Sequence, residues 1–295
     1  MVQFTIIEAP SILGLRPTGV QHLPQALKAA GLMSELSAEY GGRVPSFSYN
    51  PERDKSTLLL NPDSIRAFSL QLADAVTLVL RKKQFPLVLG GDCSILIGNL
   101  LALRRLGNYG LFFIDGHADF YHPKASPTGE VADMDLAIVS GLGPDVLTNL
   151  EGLKLLVQDP DIIVFGYRDA EQAASCGSQD VHDTNMHAFD LTTVRKIGTI
   201  TAAASLAIDL LANNEIVDGF WIHLDADVLD DSIMPAVDYR LGGDGLSFAE
   251  LSELLKTITA SGHAVGMDIT IFNPLLDLDG SITQRFVSSL VEGLS

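Results

Sequence analysis

Cysteine is nearly absent from this 295-residue chain: only Cys93 and Cys176 occur. A disulfide scaffold needs more of them in far fewer residues, so that class is excluded and a reducing, cytoplasmic setting is expected. Basic side chains are scarce too. The 19 Lys and Arg face 37 Asp and Glu, for a formal charge of −18. That balance argues against a nucleic-acid partner, which draws on clustered cations. It suits a cationic small molecule or bound divalent metals. Long apolar runs are missing as well. The longest candidate, residues 197–212, is broken by Asp209 and falls short of the roughly 20 residues that span a bilayer. It reads as a buried or amphipathic helix, and no membrane partner is expected. The first residues, Met-Val-Gln-Phe-Thr-Ile-Ile, lack the basic start and apolar run of a signal peptide. What the chain does have is 47% hydrophobic residues against 19% charged, which excludes a disordered polypeptide.

Short apolar runs recur at residues 4–7, 87–89, 111–114, 162–165, 220–224 and 264–269. Each has strand length and nearly continuous apolar character, as strands buried on both faces of a parallel sheet do. Helix-period segments lie between them, at 24–30, 64–81, 95–106, 201–211, 248–258 and 282–290. The alternation predicts one three-layer α/β domain over residues 1–295. No repeat or Ser/Gly-rich linker marks a boundary, and the least regular stretch is 121–133. Ligands of open α/β sheets bind beyond the carboxyl ends of strands.

Three of the apolar runs lead into polar clusters. The first opens Gly90-Gly91-Asp92-Cys93-Ser94, the second Asp115-Gly116-His117-Ala118-Asp119, the third His223-Leu224-Asp225-Ala226-Asp227 with Asp230 beyond. Alternation along a strand predicts Asp115, His117 and Asp119 on one face, and His223, Asp225 and Asp227 likewise. Uncompensated buried carboxylates are very costly. Divalent cations compensate them, and mixed oxygen and imidazole donors suit manganese, with zinc, nickel and iron as alternatives.

At these residues the sequence resembles the arginase/agmatinase (ureohydrolase) family. Ile7-Glu8-Ala9-Pro10 and Gly19-Val20 resemble its opening. Gly90–Ser94, Asp115–Asp119 and Asp225–Asp230 resemble its Gly-Gly-Asp-His-Ser, Asp-Ala-His-x-Asp and Asp-x-Asp-x-x-Asp blocks. Gly166-Tyr167-Arg168-Asp169, Gly245-Leu246-Ser247 and Asp268-Ile269 with Asn273-Pro274 resemble the others. The resemblance implies an arginase-like α/β/α fold with a parallel sheet of eight strands, two Mn2+ per chain and a homo-oligomer, commonly a trimer or hexamer. The extended tail that some arginases use for trimer contacts is not expected here, which leaves the assembly open. Carried over by position, Asp115 and Asp225 would bridge the metals. Cys93 and Asp119 would complete one site, His117 and Asp227 the other. A metal-bridging hydroxide would attack a guanidine or amidine carbon. Asp230 would hold the loop.

Several positions depart from the family pattern. Cys93 stands where relatives have histidine, and a thiolate is a softer ligand. His223 lies two residues before Asp225, as a substitute ligand, a residue behind the ligands or plain core. The family histidine that shuttles protons falls at Ala132, and the glutamate that pairs with guanidinium falls at Ile271. Ser126 and Thr128 align with hydroxyls that hold an amino acid carboxylate, and Glu171 with an acid that holds the α-amino group. Glu130 or His122 would replace the lost acid–base or guanidinium-binding function, which makes Asp119, Glu130 and His122 the candidate catalytic residues. The expected activity is hydrolysis of a C–N bond in a linear guanidine or amidine, a modified arginine or guanidino acid included. Two alternatives are a catalytically degenerate metal- or metabolite-binding relative and a single-metal amide deacetylase.

Overall fold

The computed structural model describes residues 2–212 and 217–295. Eight strands form one sheet: β1 (Phe4–Glu8), β2 (Glu39–Arg43), β3 (Phe85–Leu89), β4 (Gly110–Ile114), β5 (Ile162–Phe165), β6 (His187–Phe189), β7 (Phe220–Asp225) and β8 (Ala264–Thr270). Their order is β2-β1-β3-β8-β7-β4-β5-β6, and every pair is parallel. All six apolar runs are strands. The two strands without such a run are the edges: β2 reads Glu-Tyr-Gly-Gly-Arg and is largely exposed, and β6 has three half-buried residues. An edge strand has one neighbour and less apolar surface to bury, so its signal is faint.

Side chains of the inner strands alternate between two cores. Phe112 and Ile114 face one side of the sheet, Leu111 and Phe113 the other. Helices Ile200–Ala212, Phe248–Ala260 and Ser281–Leu294 cover the first face; Pro62–Arg81 and Leu96–Arg104 cover the second. Helix Phe248–Ala260 starts at a capping box in which the Ser247 side chain accepts Glu250 N–H and the Glu250 carboxylate accepts Ser247 N–H. The expected helix at 201–211 is buried along one side only, in keeping with its interruption by Asp209. Among the described residues no helix is long and apolar enough to cross a membrane.

Candidate metal centre

Strands β3, β8, β7 and β4 are successive neighbours, so their carboxyl ends open on one spot. β3 leaves through Gly90 and Gly91 into a 3-10 turn at Cys93–Ile95. Asp92 caps that turn: its carboxylate accepts Ser94 N–H at 2.9 Å and the Ser11 hydroxyl at 2.7 Å. Gly91 is dictated by crowding, since a Cβ there would lie 1.8 Å from Ser11 O. The turn delivers Cys93 Sγ to 2.9 Å from Asp225 Oδ2 and 3.3 Å from Thr270 Oγ1.

Asp225 ends β7, and its Oδ1 accepts Asp227 N–H at 2.7 Å, turning the chain at Ala226–Val228. Asp227 then reaches the loop after β4. Its Oδ1 accepts Gly116 N–H at 3.0 Å and its Oδ2 lies 2.8 Å from His117 Nδ1. Asp115 Oδ1 accepts His117 N–H at 2.6 Å. The Arg168–Asp169 pair braces both loops. Arg168 donates to Asp227 O and Leu229 O at 3.0 and 3.2 Å, and Asp169 Oδ1 accepts Ala118 N–H at 3.1 Å. Asp230 stays at its own turn, accepting Ser232 N–H at 2.8 Å.

Strand alternation explains one cluster and not the other. Trp221, His223 and Asp225 do alternate along β7. β4, however, ends at Ile114. Asp115, His117 and Asp119 therefore lie in a loop, and Asp227 likewise follows its strand. The loops converge because these carboxylates accept backbone N–H groups, with Asp119 itself in a left-handed conformation (φ 43°).

Two groups of donor atoms result, each within 4.8 Å: Cys93, Asp115, His223 and Asp225, and Asp115, His117 and Asp227. Five of the six expected ligands are thus gathered. Asp119 lines the same cavity but belongs to neither group. Burial, then Asp115, pushes the Asp119 carboxyl well above its ordinary range. Burial, then Asp227, raises Asp115 to about 7, and burial followed by Asp227 raises Asp225 as well. Burial and Asp225 push the Cys93 thiol up. Against the opposing effect of burial, His117 and Asp227 hold one another charged: the imidazole is raised and the carboxyl lowered. Asp115 Oδ2 and His223 Nε2 are buried without a hydrogen-bond partner. A surplus of buried acids, together with unpartnered oxygen and nitrogen donors, fits divalent cations.

One cavity opens onto these residues, with Cys93, His117, Asp119, Asp225 and Asp227 on its wall. Glu130, buried, also lines it; its Oε1 accepts Arg16 Nε–H at 2.8 Å and its Oε2 accepts the Tyr239 hydroxyl at 2.7 Å. Thr128 lines the cavity, while the buried Ser126 donates to Asp133 Oδ2 at 2.8 Å from behind. Two expected residues are not brought there. His122 is exposed and accepts Lys124 N–H at 3.2 Å, and Glu171 is exposed, whereas its neighbour Gln172 lines the cavity. Sequence reasoning passed over Asp133, Tyr239 and Cys176, which also line it. Asp133 Oδ1 is buried without a partner, and burial raises the carboxyl to about 7. Its adjacency to Ala132 was the available signal. Ala132 and Ile271 contribute apolar wall.

The arginase-family sequence profile matches residues 2–294. The chain is 32% identical over 291 residues to an arginase of Staphylococcus aureus strain COL, covering 96% of this chain and 94% of the relative. A crystal structure of arginase from Bacillus subtilis superposes with a TM-score of 0.86 at 28% identity, covering 100% and 99% of the two chains. Proclavaminate amidino hydrolase of Streptomyces clavuligerus has the same fold, with a TM-score of 0.70 at 18% identity over 100% and 90%.

Proposed function

This chain belongs to the arginase family, metal-dependent hydrolases of non-peptide C–N bonds in linear amidines, and from that premise we propose that it cleaves a guanidine or amidine C–N bond of a small molecule at a two-cation centre. The observation that carries this reading is the convergence of Cys93, Asp115, His117, Asp225 and Asp227 around unpartnered donor atoms beside an acid-lined cavity. Asp119 is proposed to complete the centre from the cavity wall. Manganese is the family's usual metal and the first to test, ahead of zinc, nickel and iron. Bound there, such cations neutralise the carboxylates and supply a water acidic enough to ionise near neutral pH.

The chain's own residues do the rest. Asp119, on the cavity wall, would accept the proton of a water held at the centre. Glu130, fixed between Arg16 and Tyr239, keeps a carboxylate toward the cationic end of the substrate. Asp133 takes over proton transfer from the imidazole missing at Ala132. Ser126 and Thr128 hold its Oδ2, and Oδ1, buried without a partner, would carry a proton to the leaving amine once substrate draws it to the cavity. A group that titrates near 7 exchanges protons where an ordinary carboxylate cannot.

The test is urea or ammonia release by manganese-reconstituted protein across arginine, its N-hydroxy and N-methyl derivatives, shorter guanidino acids, amidines and acetylated amines. Turnover of a guanidine or amidine, lost on chelation, is expected. Turnover of an acetylamine alone would replace this reading with an amide deacetylase. Metal-loaded protein inert across the panel would favour the degenerate relative that Ala132 and Ile271 allow.

A further inference from the structure

His223 stands among the donor atoms of the centre but is given no role by the proposed function, and its setting is more constrained than a core residue requires. It sits on β7 directly between its register partners, Phe113 of β4 and Asp268 of β8. The Phe113 ring stacks on the imidazole, with centroids 4.7 Å apart and planes 18° apart. Asp268 Oδ2 lies 2.6 Å from His223 Nδ1. The other Asp268 oxygen accepts the Trp221 indole N–H and Asn99 Nδ2–H. With so many donors around it, Asp268 acts as the acceptor, so Nδ1 keeps its proton and Nε2 is the nitrogen left to face the cluster. That Nε2 is fully buried, has no hydrogen-bond partner and lies 3.9 Å from Asp115 Oδ2, itself unpartnered. Cys93 Sγ and Asp225 complete a group of donors within 4.8 Å.

We propose that His223 is a metal ligand in this protein: Nε2, with Cys93 Sγ, Asp115 and Asp225, forms one of the two cation sites. The inference rests on the two-cation reading above and deepens it. The imidazole missing at position 93 is supplied from β7, and the Cys93 thiol stands beside it in the same donor group. A carboxylate that orients a histidine and fixes its tautomer is how metal-binding imidazoles are held, and Asp268 is placed for that role. Asp135 stands behind the same cluster, fully buried, with both oxygens unpartnered. It is near enough to interact electrostatically with His223 and Asp115. One sulfur and one nitrogen donor beside two carboxylates form a softer set than the all-oxygen-plus-imidazole set of the other site. This site should therefore prefer zinc, cobalt or iron(II) over manganese.

Cobalt(II) titrated into metal-free full-length protein tests this. Two equivalents should bind, with thiolate-to-cobalt charge-transfer absorption from the Cys93 site. The proton NMR spectrum should then show two hyperfine-shifted imidazole N–H signals. One exchanges with solvent, from His117 at the cavity wall; the other is protected, from His223 Nδ1–H against Asp268. His223→Gln should remove the protected signal and weaken one cobalt equivalent about 100-fold. Asp268→Asn should keep the signal and weaken binding about 10–100-fold. A single imidazole signal in the unaltered protein, with two cobalt ions and the charge-transfer band present, overturns the inference and leaves the two-cation reading intact. That measurement needs no variant to fold. Protein that binds no cobalt, zinc or manganese overturns both.

Discussion

Cys93 Sγ lies 2.9 Å from Asp225 Oδ2, so the turn after β3 and the tip of β7 meet through a thiol and a carboxyl. In the metal-free protein burial and the surrounding acids keep this group a thiol that donates to Asp225. The thiolate is the reactive form, so Cys93 should be inert while the protein is folded. Cys176, half-buried on the cavity wall, is the accessible one. Disulfide-reagent titration of metal-free protein should count one fast thiol per chain. Cys176→Ser should abolish it, and the second thiol should appear only in denaturant. Fast modification of two thiols in folded protein would contradict the packing of the turn.

Asp133 sets a pH dependence whose sign can be worked out. Its folded-state value of about 7 lies above the ordinary 3.8. The stability it contributes is present below the unfolded value and is lost as pH rises through about 7. Relative to Asp133→Asn, the unaltered protein should therefore lose stability between about pH 4 and pH 7, read by denaturant midpoints of metal-free samples. As donor to the leaving amine, Asp133 must be protonated. The turnover profile should then have an alkaline limb set by Asp133, and Asp133→Asn should remove that limb while lowering kcat about 10²–10⁴-fold. A variant with the same limb and full turnover would take Asp133 out of the reaction.

How much of this was legible in the sequence depends on which force places a residue. The inner strands announce themselves because both their faces are buried, as Phe112 and Phe113 are. β2 and β6 do not, since edge strands carry little apolar pattern. The ligand set was legible as three polar bursts at strand ends, but the reason offered for it held only in β7. Asp115 to Asp119 converge through backbone hydrogen bonds of a loop, which no periodicity encodes. The cavity wall was the least legible part. Tyr239, 109 residues from Glu130, reaches it through a loop contact, and Asp133 owes its character to burial and a free oxygen. Glu171 was named from the family resemblance and His122 as a nearby substitute, but Glu171 lies on the exposed side of the short helix Ala170–Ser175 and His122 in an exposed loop.

Gly91 tests whether the cysteine turn is built by close backbone approach. Its φ is not in the left-handed region, so an alanine there meets no conformational penalty, only Ser11 O at 1.8 Å. Backbone atoms on both sides must shift. Gly91→Ala should cost about 3 kcal/mol, the upper end for overpacking, and weaken binding of the ion next to Cys93. Gly42→Ala is the contrast. It has open space but φ 114°, and should cost about 1 kcal/mol with no effect on metal binding. Equal melting-temperature losses for the two variants would mean the Ser11 contact is relieved without displacing the turn.

Ile271 marks where the cavity lacks a charge. It is a β-branched residue in the left-handed region, with φ 67° and its N–H bonded to Gly91 O at 2.8 Å. Its side chain is buried on the cavity wall, at the position where the family resemblance leads one to expect a guanidinium-binding glutamate. An apolar wall there makes no charge-assisted hydrogen bond to a guanidinium, a contact typically worth about 1.5–3 kcal/mol. Glutamate is unbranched at Cβ and fits this backbone with less strain than isoleucine. Ile271→Glu should therefore lower KM for plain guanidines such as arginine roughly 10–150-fold, the range those energies span. Ile271→Gln, similar in shape and uncharged, should give far less. Urea release at fixed manganese separates the two variants. An unchanged KM in both would place the cationic end of the substrate against Glu130 and Asp133 alone.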